Sequence, residues 1–122
     1  MIDPSLLKNL ALRGGFTIVQ VEFTAGALID ALGREAIART QIVGHNFEIT
    51  IRSGLSNEEL SVTLYHEILE AAAVASSQAP SSVTQFKESD FERAAYEAHD
   101  RFGPASPENL NRMLQSYGFQ EH

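Results

Sequence analysis

Strict alternation is the first regularity along the chain. In NFEITIR, residues 46–52, Phe47, Ile49 and Ile51 fall on one side and Glu48, Thr50 and Arg52 on the other, the period-two pattern of a strand with one buried face. FTIVQVEF, residues 16–23, is dense in β-branched and aromatic side chains and predicts a second strand. QIVGHN, residues 41–46, predicts a hairpin arm that turns at Gly44-His45. Between these strands, AGALIDALGREAIART places Leu28, Leu32 and Ala36 at helical spacing and predicts a helix over residues 25–40. At the start of the chain, Asp3-Pro4 has the form of an N-cap followed by proline in the first turn. Gly14-Gly15 then stops the short apolar helix that SLLKNLALR suggests.

Past residue 52 the pattern turns helical. Ser56 and Glu59 form an S-x-x-E capping box, flanked by Leu55 and Leu60 in hydrophobic-staple positions, so a helix starts there and runs to about Ser76. SSQAPSSVTQ, residues 76–85, reads as a loop. A second S-x-x-E, Ser89 with Glu92, opens DFERAAYEAHDRF, whose apolar stripe is Phe91, Ala94, Ala95, Ala98 and Phe102. Ser106-Pro107 starts a last helix that Gly118 closes, with Phe119 placed to touch Leu114 as in a Schellman motif. The fold class that follows is α+β in a single domain, residues 1–122. It comprises a small mixed or antiparallel sheet, a helix over 25–40 packed on it, and a helical C-terminal half.

Composition narrows the chemistry. With no cysteine there are no disulfides and no thiolate ligands or nucleophiles, so any metal must be held by histidine and carboxylate. The net charge of −7 argues against nucleic acid as a partner, because phosphate contacts need clustered Lys and Arg. That charge is uneven: acids and bases balance up to Asn57, and the whole excess of acid follows it. Solvated helix faces or a carboxylate-rich cation site would each account for it. No apolar run approaches the roughly 20 residues of a membrane span and no secretory leader is evident, so a cytoplasmic protein without membrane contact is expected.

The acidic half contains LYHEILEAA, residues 64–72. Residues four apart on a helix share a face, so His66 and Glu70 can hold one cation between them, while Glu67 points about 100° away. This is the layout of the zinc-peptidase helix H-E-x-x-H, whose outer residues bind metal and whose glutamate is the general base, with Glu in place of the second His. An ordinary amphipathic His and Glu pair is the plainer alternative. His99 follows on the later helix, with Tyr96 between it and Glu92, and is a possible third ligand. Tyr96 or Tyr65 would serve either as a hydrogen-bond donor to a developing oxyanion or as amphipathic packing. His45, in a turn, and His122, at the terminus, suggest no role. No Gly-rich phosphate loop and no G-x-S-x-G elbow is present.

Over residues 47–104 the chain resembles the zincin-like metallopeptidases of the ImmA/IrrE type. There a HELGH-like helix is followed by a helix of pattern E-x-x-A-x-x-x-A ending near a proline, which ERAAYEAHDRFGP, residues 92–104, approximates. The resemblance implies a zincin-like fold, a peptide or protein substrate laid along a strand, and a glutamate of the second helix as third metal ligand. The matching position is Glu92, which a capping box with Ser89 would equally explain. One imidazole and two carboxylates would neutralise a divalent ion and acidify its water less than two imidazoles would. The resemblance implies zinc first, whereas these donors equally suit manganese or ferrous iron, and a site without metal is the remaining alternative. The functional expectation is a metal-dependent hydrolase, with an inactive zincin-like interaction or regulatory module as the alternative and coincidence in an unrelated fold as the third.

Overall fold

The structure, a computed structural model, describes residues 2–29 and 33–120. Its architecture is mixed α+β, with the sheet segments preceding three helices. Asp3 caps a short 3-10 helix, Pro4–Leu7, by accepting from the Ser5 N–H. The apolar helix expected to continue from there does not form. Asn9 adopts a left-handed φ of 56° and its N–H donates to the Val19 carbonyl, so the chain passes straight into β1, Leu10–Ala11. Two residues of antiparallel pairing with β2, Thr17–Thr24, thus displace local helix propensity.

The helix expected over residues 25–40 is likewise replaced, among the described residues, by extended structure. Leu28–Ile29 (β3) pairs antiparallel with Glu35–Ala36 (β4), and Ala38–Val43 (β5) joins the main sheet. Asp30, Ala31 and Leu32, part of that expectation, lie outside the described residues. Gly33 has a φ of +78°, which breaks helical register, and the β-branched positions Thr40 and Ile42 find partners in β6, Asn46–Arg52. A Leu/Ala spacing compatible with a helix therefore yields to non-local ladder bonds that no local window contains.

The main sheet has the order β1-β2-β6-β5, with β6 parallel to β2 and antiparallel to β5. The expected hairpin forms, turning at Gly44-His45 with Gly44 at φ 64°. Alternation in β6 is borne out: Phe47, Ile49 and Ile51 are buried, while Thr50 and Arg52 are only half-buried. Among the described residues β5 is an edge strand of this sheet.

The capping box at Ser56 opens α1, Asn57–Ala75, which ends at Ser76 as the sequence indicates. α1 lays Leu64, Tyr65, Ile68 and Leu69 into the same core as Ile18, Phe47, Ile49 and Ile51 of the sheet. α2, Glu88–Phe102, adds Phe91, Ala94, Ala95 and Ala98, and α3, Pro107–Ser116, adds Leu110, Met113 and Leu114. Gly118 closes α3 at φ +97°, with its N–H on the Gln115 carbonyl and that of Phe119 on the Leu114 carbonyl, the two bonds of a Schellman motif. Among the described residues no helix is long and apolar enough to cross a membrane.

The start of α2 needs a correction. Ser89 does not cap it; the helix begins at Glu88, and the Asp90 carboxylate accepts the Lys87 N–H at 2.9 Å. The cap lies two residues earlier than expected, which frees Glu92 of that duty and brings Glu88 into the first turn.

Candidate metal centre

α1 and the first turn of α2 meet at His66. One turn of helix brings Glu70 Oε2 to 3.2 Å from His66 Nε2, and Glu88 Oε1 reaches the same nitrogen at 2.9 Å. One ligand atom from each of the three residues lies within 4.8 Å of both others. Metal–ligand bonds of about 2.0–2.2 Å put neighbouring ligands about 3.0 Å apart at right angles and about 3.4 Å apart at tetrahedral angles. The two spacings to His66 Nε2, 3.2 and 2.9 Å, lie close to that range, so the group could hold a divalent ion. One imidazole and two carboxylates would balance its charge, and the set suits zinc, manganese or ferrous iron.

The electrostatics of the three groups are mutually dependent. Burial pushes the His66 imidazole down, but the Glu70 hydrogen bond and the negative charges of Glu67, Glu88 and Glu70 outweigh it, leaving the pKa raised. Glu70 is lowered, chiefly by its hydrogen bond with His66. Glu88 is raised by burial and by sharing a hydrogen bond with the Glu70 carboxyl. Without an ion the cluster thus holds protons where a cation would otherwise sit.

Glu67 stands beside this group without joining it. Its Oε1 accepts a 2.9 Å hydrogen bond from Thr40 Oγ1, so the edge strand β5 fixes it. Burial raises its pKa, aided by the Glu70 charge and opposed by the Thr40 bond and by His66. A carboxylate with a raised pKa at the wall of a cleft has the character of a general base. It borders two adjoining clefts, each of about 440 Å³, between the β4–β5 segment and the helices.

The remaining sequence candidates separate. Glu92 is exposed on the cleft wall and outside the ligand group; Glu88, one helical turn earlier on the same face, takes the position expected for it. His99 is turned away: its Nδ1 lies 2.7 Å from Ser61 Oγ, which also accepts the Ala105 N–H at 2.8 Å, so it ties α1 to the segment after α2. Tyr96 is half exposed and lines the cleft. Tyr65 is fully buried and donates to the Gly103 carbonyl at 2.8 Å, with burial pushing its phenol to about 12; it anchors structure and has no access to the cleft. His45 stacks on Phe16, with centroids 5.4 Å apart, and His122 lies outside the described residues. The residue that the sequence reading missed is Glu88. Its signal was KESD, in which Asp90 stands three residues after Lys87 and marks the earlier helix start.

Comparisons of the chain with protein-family models, curated proteins and solved structures find no match, so the reading of this site rests on its own geometry.

Proposed function

We propose that this domain is a metal-dependent hydrolase that cleaves peptide bonds, with His66, Glu70 and Glu88 as metal ligands and Glu67 as general base. The observation that carries the reading is the convergence of those three side chains, from two helices, beside a half-buried carboxylate that the edge strand holds. A divalent ion held there supplies a Lewis acid that polarises a carbonyl and acidifies water. Glu67 takes a proton from the attacking water and returns it to the leaving amine as the C–N bond breaks, so that water is consumed and one carboxylate and one amine are formed. Tyr96, on the cleft wall, would donate to the developing oxyanion.

Elemental analysis of the purified protein tests the ligands, and hydrolysis of a mixed peptide library tests the chemistry. Stoichiometric metal in the wild type, lost in His66→Ala and Glu88→Ala, and turnover lost with metal retained in Glu67→Gln are the expected results. Absence of metal after incubation with zinc, manganese and iron in turn would overturn the assignment.

A second reading, a cation-binding interaction module without catalysis, is favoured by the Thr40 bond that engages the Glu67 carboxylate and by Glu in place of the second histidine. Metal retention with no turnover of any peptide distinguishes it.

A further inference from the structure

Away from His66, another cavity of about 350 Å³ lies between the β1–β2 turn, within residues 11–17, and Asn111 of α3. It shares no residue with the two clefts at the candidate metal centre. Arg13 is the one charged residue that lines it, and no carboxylate does, although the chain as a whole carries a net charge of −7.

The turn is pinned in place. Asn111 Oδ1 accepts the Arg13 N–H at 2.9 Å, and its Nδ2 donates to the carbonyls of Ala11 and Pro107 at 3.3 and 3.2 Å. The Leu12 N–H donates to the Phe16 carbonyl and the Gly14 N–H to the Gln120 carbonyl, each at 2.7 Å. The carboxamide of Asn111 is thus fully used, and the backbone around the cavity is set before any ligand arrives. Gly15, on the cavity wall, donates its own N–H to no backbone carbonyl among the described residues.

Arg13 is half-buried, yet among the described residues its guanidinium has no ion pair and no hydrogen bond. Arg52, Arg93 and Arg112 each have a carboxylate within 3.9 Å, and Arg101 lies over the Phe102 ring. A guanidinium partly withdrawn from water without a counter-charge gives up hydration that an oxyanion restores, because its planar fork makes two parallel hydrogen bonds to such a group.

We infer that this cavity binds a small oxyanion of the phosphate class, held by the Arg13 guanidinium and the Gly15 N–H. Phosphate carries more negative charge than a carboxylate, and the cavity has no acid to repel it. The turn runs into strand β2 and contains no lysine, unlike a nucleotide phosphate loop, so the group recognised is the phosphate itself, free or as a monoester.

Titration of the isotope-labelled full chain, followed by NMR at neutral pH and constant ionic strength, tests this site by site. Inorganic phosphate should give saturable shifts at the Gly15 amide and at Arg13 Nε, and should bind more tightly than acetate or chloride. Arg13→Gln should weaken phosphate binding about tenfold or more, with Arg13→Lys between the two. Asn111→Asp keeps an acceptor for the Arg13 N–H and adds a negative charge at the wall, so it should weaken binding as well. Tighter binding of O-phosphoserine than of inorganic phosphate would support a phosphomonoester as the ligand, and the reverse order would support the free ion. Shifts that do not saturate, acetate or chloride binding as tightly as phosphate, or an affinity unchanged in Arg13→Gln would overturn the inference. So would shifts centred on His66, which would put the anion at the metal centre instead.

Discussion

Proton competition at His66 gives the most direct handle on the proposed centre. Zinc needs the neutral imidazole, yet in the free protein the Glu70 bond and three nearby carboxylates raise the imidazole pKa above its usual 6.5 in spite of burial. Below that raised value each unit of falling pH should weaken zinc binding about tenfold, or about 1.4 kcal/mol, because one proton must leave for each ion bound. Above it, affinity should level off. The break in a plot of log Kd against pH should therefore lie above 6.5. Glu88, whose pKa burial and its shared hydrogen bond with Glu70 raise, steepens the acid side further. Competition with a chromophoric chelator between about pH 5 and 8.5 reads the curve, and Glu88→Gln should move the break down by removing one of the charges that holds the proton. The same linkage appears in the stability of the metal-free protein. The His66 contribution is complete below 6.5 and is lost as pH rises through the raised folded value; that of Glu70 is present above 4.5 and lost as pH falls through its lowered one. Zinc at a hundred times its Kd should add about 2.7 kcal/mol, roughly 10 °C in Tm for a domain of this size. An affinity flat from about pH 5 to 8.5, or a break below 6.5, would refute the assignment of His66 as ligand.

Other outcomes follow from individual contacts. Thr40→Val removes the hydrogen bond that lowers the Glu67 pKa, so the acid limb of a pH–activity profile should move to higher pH while metal content stays unchanged. Tyr65→Phe leaves the Gly103 carbonyl without its side-chain donor and should cost about 1–3 kcal/mol in urea unfolding. Ser61→Ala strips both the Ala105 N–H and the His99 ring nitrogen of a partner and should cost about 2–4 kcal/mol, without altering zinc stoichiometry. Gly118→Ala places a Cβ 3.3 Å from Pro80 Cβ at a φ of +97°, and a loss of about 1–2 kcal/mol is expected by thermal unfolding.

Where the determining interactions are local, the sequence alone was sufficient. β6 follows from alternation, the start of α1 from a Ser/Glu reciprocal cap, the end of α3 from a left-handed glycine, and the closeness of His66 to Glu70 from helical pitch. Residues 25–40 went the other way: Leu28 and Ala36 fit a helix by spacing, but the choice between helix and strand lay with β6 and with Gly33, not with the segment. The third member of the His66 group is the same lesson at the scale of one side chain. Starting α2 at Glu88 instead of two residues later exchanges Glu92 for Glu88, and that start is fixed by the Asp90 cap together with the packing of Phe91, Ala94, Ala95 and Ala98 in the core. Which carboxylate faces His66, and which strand holds Glu67, depend on how separate elements pack. The physical reason is that hydrogen bonds and burial between elements distant in sequence outweigh local propensities of a few tenths of a kcal/mol per residue.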